Sequence, residues 1–158
     1  MTDTEISQAE IDRVVAGHHH DPHSVLGAHP GPDGVIVRAL RPLATSVTLV
    51  LEDGRRLPME HVHEGVFAVT LPESDEKVPD YRIAAIYPEP DGSPGAETVL
   101  DDPYRFLPTI SEFDLYLIGE GRHEELWRVL GAHVREVGQA TGTSFAVWAP
   151  NALSLIHI

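Results

Sequence analysis

Apolar residues near the start of the chain recur at the spacing of one helical face: Ile11, Val14 and Val15. Just before them, Ser7 and Glu10 stand at the spacing of a capping box, which satisfies free backbone N–H groups at a helix start. Gly17 follows the apolar stripe and is typical of a helix end. The pattern predicts a short helix within residues 1–17 that ends near Ala16 and packs through its apolar stripe.

The pattern then changes to short runs of β-branched and apolar residues separated by turn residues. Runs of this kind lie at Val35–Leu40, Ser46–Glu52, Gly65–Leu71 and Tyr81–Tyr87, with a weaker one at Arg55–Val62. Three Asp-Gly pairs, which favour tight turns, lie at residues 33–34, 53–54 and 91–92. No helix-length segment separates the runs, which argues against a parallel α/β sheet. We predict a mainly β fold, an antiparallel β-sandwich over residues 18–108.

The rest of the chain shows a change in organisation. Residues 101–108 contain two prolines and indicate an extended segment that leaves the sandwich. We interpret residues 109–139 as a linker with a second helix over His123–Leu130, where apolar residues recur at helical spacing. Thr143–Ala149 alternates like a strand but has no visible partner. Residues 140–158 would therefore contain a strand without a visible partner.

Charge and composition exclude several classes of partner. The 158 residues include 11 Lys+Arg and 25 Asp+Glu, and the net charge of −14 repels nucleic acid and anionic membrane surfaces. The acidic N-terminus has no apolar run behind it, so neither a secretory signal nor a membrane span is expected. Cysteine is absent, which excludes a disulfide framework and a cysteine-bound zinc. We predict a cytoplasmic protein that binds neither nucleic acid nor membranes.

Two groups of histidines are candidates for metal ligands. The first group lies in a single loop: His18, His19, His20, Asp21 and His23. Metal sites usually converge from separate elements with supporting side chains, so we favour a structural role for this loop. In the second group, His61 and His63 have the His-x-His spacing that places two imidazoles on one face of a strand, but Glu64 is too close to complete such a site. We predict an exposed hairpin edge there, and no metal at either place.

The abundant carboxylates form no recognisable catalytic pair. A retaining glycosidase needs two carboxylates about 5 Å apart, one as nucleophile and one as acid/base. Asp101 and Asp102 would point to opposite sides of an extended segment, and Asp75 and Glu76 lie in a polar loop. We interpret all four as a solvated face. Since a Gly-rich phosphate loop and a nucleophile elbow are also missing, we predict no catalytic residue and no cofactor.

A sugar-binding surface would need flat aromatic faces with polar groups at the rim. Aromatic residues make up only 6% of the chain, with two Trp. Trp127 lies on the predicted second helix and Trp148 in a strand pattern, so both suit a core or an interface as well as a platform. Tyr81 and Tyr87 alternate with their strand and suit a core position equally well. We name Tyr81, Tyr87 and Trp148 as candidate aromatic platforms for a sugar ring.

Several stretches, in order along the chain, resemble the N-terminal region of bacterial glycogen branching enzymes (1,4-α-glucan branching enzymes). They are Gly17-His18 with Asp21–His29, Asp101–Phe106, Glu120–His123, Leu130–His133 and Gly142–Ala152. Each fragment alone is a weak signal. Five fragments in the family's order, spread over nearly the whole chain, make the resemblance specific.

The resemblance implies an accessory role. It implies an immunoglobulin-like sandwich similar to carbohydrate-binding module 48, and a second glycogen-binding-type module whose incomplete start would be residues 140–158. It also implies a parent enzyme acting on α-glucan, for which Tyr81, Tyr87 and Trp148 are the candidate glucan contacts. Such a parent cleaves α-1,4 linkages and rejoins them as α-1,6 branches in a barrel, which needs about 250 residues of its own. At residues 153–158 the sequence departs from the family's pattern and the chain ends. We therefore expect an inactive chain truncated before the barrel; the alternative is a free-standing β-sandwich that binds carbohydrate or protein.

Overall fold

The computed structural model describes residues 6–71, 80–137 and 140–150. The chain divides into two compact units, Met1–Leu107 and Pro108–Ile158. Within the described part of the chain, no helix is both long enough and apolar enough to cross a membrane.

The first unit opens with helix α1, Gln8–Val15. Its start follows the predicted capping pattern, because the backbone N–H and the hydroxyl of Ser7 both donate to the Glu10 carboxylate at 3.0 Å. Ile11 and Val14 are buried, whereas Val15 is half-buried. The short N-terminal helix expected from the sequence is therefore confirmed, and two of the three stripe residues make most of its contact.

The described residues of this unit form eight strands: β1 (Gly27–Gly31), β2 (Gly34–Leu40), β3 (Ser46–Leu51), β4 (Arg56–Pro58), β5 (Glu60–His63), β6 (Val66–Leu71), β7 (Tyr81–Ile86) and β8 (Thr98–Leu100). They make two four-stranded sheets, ordered β1-β2-β6-β5 and β4-β3-β7-β8. The pairings within both sheets are antiparallel. The predicted mainly β, antiparallel sandwich is confirmed.

The core lies between these two sheets. Alternation sends Val35, Val37 and Ala39 of β2 inward, where they join residues of the opposite sheet such as Leu49 and Ile83 in one cluster. Val35 is 1% exposed, and the other four residues are 0% exposed. Because a one-residue slip would turn this whole set to solvent, burial fixes the register.

A smaller apolar cluster covers the outer face of the first sheet. It joins Val14 of α1 to Val25 and Leu26, which precede β1, with Leu40 and Tyr104 packed against them. Residues 18–23, called the histidine loop below, run into this cluster through a short 3-10 turn over Pro22–Ser24. The helix is therefore docked by side chains from three separate parts of the first unit.

Some strand predictions need correction. The weaker run at residues 55–62 is two strands, β4 and β5, separated by the buried Met59. Strands β1 and β8 escape prediction, since β1 contains Gly27, Pro30 and Gly31 and β8 has only three residues. Both are strands because a neighbour pairs with them, which outweighs weak local propensity.

The second unit contains helix α2, Glu112–Gly119, and a 3-10 turn over Leu126–Arg128. The helix predicted at residues 123–130 is therefore wrong. Here the Glu125 N–H donates to Nδ1 of His123 at 3.2 Å, and the helical turn is limited to Leu126–Arg128. Helix α2 instead starts at Ser111, whose hydroxyl accepts from the Asp114 N–H at 3.1 Å.

The described residues of the second unit also form a hairpin of β9 (Gly131–Val137) and β10 (Ala140–Ala146). The two strands pair antiparallel from Ala140 opposite Val137 to Ala146 opposite Gly131. The strand expected at residues 143–149 therefore starts and ends earlier. It also has a partner that the sequence does not reveal, because β9 lies in the part interpreted as linker.

Candidate functional site

Tyr81, one of the candidate glucan contacts, lies in the core of the sandwich. It is 2% exposed, and its hydroxyl donates to Oδ2 of Asp102 at 2.9 Å. Burial and the neighbouring Asp102 carboxylate raise the pKa of this hydroxyl far above its usual value, so the proton stays on the phenol. No ring face is left for a sugar, and the structure assigns Tyr81 to packing instead.

Asp102 corrects the interpretation of the carboxylates as a solvated face. Its side chain is 0% exposed and lies 3.2 Å from Nη2 of Arg41, which is itself 12% exposed. Two partners, the Arg41 guanidinium and the Tyr81 hydroxyl, thus compensate the loss of hydration of this carboxylate. The group is a structural anion and not a solvated acid.

Arg105 also holds the residues that follow β8, through ion pairs and a hydrogen bond to the backbone. Its guanidinium, 6% exposed, contacts Asp101 at 2.7 Å and Asp80 at 3.2 Å. It also donates to the backbone oxygen of Tyr81 at 3.1 Å and lies 4.7 Å from the ring centre of Phe106. The residues that leave the sandwich are therefore held by an ion-pair network that no local sequence pattern reveals.

Gly27 of β1 lies close to residues 101–107, which leave the sandwich and are called the exit segment below. A Cβ atom placed on Gly27 would lie 2.5 Å from the backbone oxygen of Tyr104, and Gly27 has a φ of +91°. A side chain at this position would therefore meet both backbone strain and a direct clash.

Tyr87, the second candidate contact, is half-buried beyond the end of β7 and packs against the core cluster. Its backbone oxygen accepts from the Gly95 N–H at 2.9 Å. Pro88 and Pro94 form an isolated antiparallel bridge in the loop that follows. The ring therefore lies beside a folded-back loop with part of its surface accessible.

Trp148, the third candidate contact, lies in the second unit and is 58% exposed. It lines a small open cavity of about 170 Å³. The other lining residues are mostly apolar: Ile118, Gly121, His123, Leu126 and Leu130. Within this unit, Trp148 thus combines an accessible aromatic face with a concave apolar neighbourhood.

His123 in this cavity has a defined tautomer. Its Nδ1 accepts the Glu125 N–H, so Nε2 carries the proton and donates to Oδ1 of Asp114 at 3.0 Å. The Ser111 hydroxyl and then His123 lower the pKa of Asp114. Both ring nitrogens are therefore used within the unit, which leaves this imidazole a structural role.

Trp127, the other tryptophan of the chain, has a similar exposure. It is 67% exposed, and the guanidinium of Arg128 lies 5.0 Å from its ring centre. Unlike Trp148, it does not line the cavity. Exposure alone therefore does not distinguish the two indoles, whereas the cavity does.

The histidine loop makes contacts within itself and with the exit segment. His19 and His20 stack with ring centres 5.2 Å apart, and His19 Nδ1 accepts the Asp21 N–H at 3.1 Å. His23 meets the Tyr104 ring edge-on at 5.0 Å. Within the described residues, no three His, Cys, Asp or Glu side chains are placed to share a metal ion.

His61 and His63 do not share one face of a strand as their spacing suggests. A register shift lies between them, at the edge strand β5. His61 accepts the Gly65 N–H at 3.1 Å and lies on the Phe67 ring, whereas His63 contacts Asp12 of α1 at 3.1 Å. The irregularity sends the two imidazoles to different partners.

Comparison with known proteins gives the family. The sequence model of "alpha-1,4-glucan branching enzyme GlgB, N-terminal domain" matches residues 7–104, which is more than half of the chain. The chain belongs to this family. The match ends within the exit segment of the first unit, so the GlgB N-terminal domain corresponds to the β-sandwich together with α1.

Relatives extend the similarity into the second unit. The 1,4-alpha-glucan branching enzyme GlgB of Thermobifida fusca is 57% identical over 148 residues, covering 91% of this chain and 19% of that protein. The GlgB of Mycolicibacterium paratuberculosis is 53% identical over 154 residues, covering 94% of this chain and 20% of that protein. The chain therefore spans about a fifth of the length of these relatives.

Among solved structures, a pullulanase of Paenibacillus barengoltzii in complex with maltohexaose and alpha-cyclodextrin is similar. It is 24% identical with a TM-score of 0.40, covering 59% of this chain and 16% of that chain.

Proposed function

We propose that this chain is the N-terminal accessory part of a 1,4-alpha-glucan branching enzyme, where it positions α-glucan and braces the modules that follow. The observation that carries the proposal is the GlgB N-terminal match over residues 7–104. The identity of 57% over 91% of the chain supports it. A cytoplasmic location is part of the proposal, because a chain without cysteine suits a reducing compartment.

The proposed domain organisation follows the units of the structure. Residues 18–108 form the first module with α1 docked on it. The second module includes β9 as well as β10, because these two strands pair, so its proposed start moves from near residue 140 to near residue 131 and the linker shortens from residues 109–139 to residues 109–130. The exposed apolar side chains of this hairpin, Val134 at 80% and Phe145 at 77%, suit a sheet that is only partly assembled.

The parent's reaction needs a nucleophilic carboxylate and an acid/base partner close together. In the described residues, the adjacent carboxylates Asp101 and Asp102 are both in ion pairs with arginines. We therefore propose that the chain alone makes no α-1,6 branches.

Trp148 is our proposed point of contact with glucan, and Tyr87 is a weaker one. A pyranose presents C–H bonds on one side, and an accessible indole face beside an apolar cavity offers a complementary surface. One platform gives little affinity, so we expect a Kd of about 1 mM or weaker, roughly 4 kcal/mol.

The experiment uses the purified full chain with amylose and glycogen. We expect no new α-1,6 linkages by NMR and no change in iodine absorbance, since the adjacent carboxylates Asp101 and Asp102 are both held in ion pairs with arginines. Glycogen affinity electrophoresis should show weak retardation that Trp148→Ala removes. Trp127→Ala is the matched control, because Trp127 is similarly exposed but lies outside the cavity, and this variant should keep the retardation.

Two results would contradict the proposal. New α-1,6 linkages above a no-protein control would show that the chain is itself an enzyme. Equal retardation of wild type and Trp148→Ala would show that glucan contacts lie elsewhere, with Tyr87→Leu as the next variant to test.

A further inference from the structure

Arg38 lies in the middle of β2 but on the opposite face of the sheet from the core. Its neighbours Val37 and Ala39 are both 0% exposed and belong to the core cluster. Side chains alternate along a strand, so Arg38 points to the outer face of the first sheet. Even there it is only 8% exposed.

The described residues leave this guanidinium without a partner. Among them, the buried Nη1 of Arg38 has no hydrogen-bond acceptor. Two other arginines of the unit that are little exposed are paired with carboxylates, Arg41 with Asp102 and Arg105 with Asp101 and Asp80. Arg38 differs from both within the described part of the unit.

The residues directly across the sheet from Arg38 are small. On one side Arg38 is paired with Gly27 of β1, where the backbone of Tyr104 lies close. On the other side it is paired with Ala68 of β6, whose side chain is a single methyl group. Glu60 follows in the same row, opposite Ala68, but it is exposed and forms no ion pair with Arg38 among the described residues.

A buried and unpaired cation is unfavourable, and burial lowers the pKa of Arg38. An arginine nevertheless stays charged at neutral pH, so an anion, and not loss of a proton, is what would compensate this charge. The planar guanidinium matches oxygen atoms of carboxylates and phosphates in two parallel hydrogen bonds. With a net charge of −14, the chain as a whole repels such anions, so any binding must be local.

We propose that Arg38 is the cationic centre of a binding site for a small oxyanion on the outer face of the first sheet. The shared chemistry is that of phosphate and carboxylate groups, and the two sources are separated by experiment. This site does not depend on the glucan contacts proposed at Trp148, which lies in the other unit.

Thermal unfolding of the full chain tests the proposal. Inorganic phosphate or sodium acetate is increased at neutral pH and constant ionic strength, with chloride as the balancing anion. An anion that binds only the folded state raises the Tm in a saturable way. A rise with phosphate alone assigns the site to phosphate, a rise with acetate alone assigns it to carboxylates, and a rise with both supports the shared chemistry.

Two variants separate the site from general salt effects. Arg38→Met keeps an unbranched side chain and removes its charge, so its affinity for the anion should fall at least about tenfold. Its stability in chloride should equal or exceed that of wild type, because an unpaired buried charge has been replaced by an apolar group. Arg56→Met is the matched control, since Arg56 is 45% exposed and paired with Glu97, and it should respond like wild type.

The proposal is overturned if the Tm of wild type shows no saturable rise with either anion. It is also overturned if Arg38→Met responds as strongly as wild type. Should Arg38→Met fail to fold, phosphorus NMR of phosphate with wild type decides. Saturable broadening of the phosphate line by the protein supports the site, whether or not acetate reverses it. An unaffected phosphate line overturns the site when acetate also leaves the Tm of wild type unchanged.

Discussion

The Tyr81 hydroxyl donates a hydrogen bond of 2.9 Å to Asp102, and both side chains are withdrawn from solvent, at 2% and 0% exposure. Tyr81 begins β7, whereas Asp102 lies beyond β8 in the segment that leaves the sandwich. The bond therefore fastens the exit of the first unit to its core. Tyr81, whose position on a strand the sequence pattern predicts, therefore also holds the buried carboxylate of Asp102.

Tyr81→Phe should destabilise the first unit by about 1–3 kcal/mol, because Asp102 would lose one of its two partners while it stays buried. The measurement is urea unfolding followed by far-ultraviolet circular dichroism. Tyr87→Phe is the matched control. Among the described residues its hydroxyl has no hydrogen-bond partner, so the change should stay within about 0.5 kcal/mol. Equal effects of the two variants would contradict a special role for the Tyr81 hydroxyl.

The sequence pattern predicts those elements whose structure depends on residues close together in the chain. Strand β3 alternates polar and apolar residues from Ser46 to Leu49 and ends in two more apolar residues, and Ser7 with Glu10 marks the start of α1, so both elements can be read from the sequence. Strand β1 cannot be read in this way, because its Gly and Pro residues form a strand only by pairing with β2.

The chemistry of the buried charges is hidden for a related reason. Asp102 reads as one more surface acid, and its burial depends on Arg41 and Tyr81, which lie 61 and 21 residues away. Arg38 lies in an apolar run, yet only the sheet shows that its neighbours are Gly27 and Ala68. In the second unit, the apolar spacing at residues 123–130 suggests a helix, whereas the structure has only a 3-10 turn over Leu126–Arg128.

Gly27→Ala should destabilise the first unit by more than about 2 kcal/mol, since two effects add. The residue has a φ of +91°, and its new Cβ would lie 2.5 Å from the Tyr104 oxygen. Gly54→Ala separates these effects, because Gly54 has a φ of +86° with no heavy atom within 4 Å of the added Cβ. The control should therefore show only the backbone strain, about 1 kcal/mol. Equal losses of unfolding free energy in the two variants would mean that the exit segment moves away freely.

Val14→Asp should cost about 3 kcal/mol or more, because Val14 is 5% exposed and packs with Val25 and Leu26 on the outer face of the sheet. Thermal unfolding of the variant measures the loss. Val62→Asp introduces the same charge on an edge strand at a residue that is 49% exposed, and it should change stability by less than about 1 kcal/mol. An unchanged Tm for Val14→Asp would refute the docking of α1.

The start of α1 gives a prediction about pH. Hydrogen bonds from Ser7, the backbone N–H first and the hydroxyl second, lower the pKa of Glu10 below its ordinary value of 4.5. Because the pKa is lower in the folded state, the stabilisation is present above the unfolded value and is lost as pH falls through the folded value. Capping of α1 should therefore weaken only below about pH 4.5.

Ser7→Pro tests this directly, because Ser7 has a φ of −70° that proline adopts without strain, while the donating N–H is removed. Carbon NMR titration of the Glu10 carboxyl should show its pKa rising towards 4.5 in this variant. Ser7→Ala keeps the N–H and loses only the hydroxyl, so the rise should be smaller. The Tm difference between wild type and Ser7→Pro should shrink as the pH is lowered, since protonated Glu10 no longer favours the cap. A Glu10 pKa that stays the same in Ser7→Pro would mean that another group, such as Arg13, holds it down.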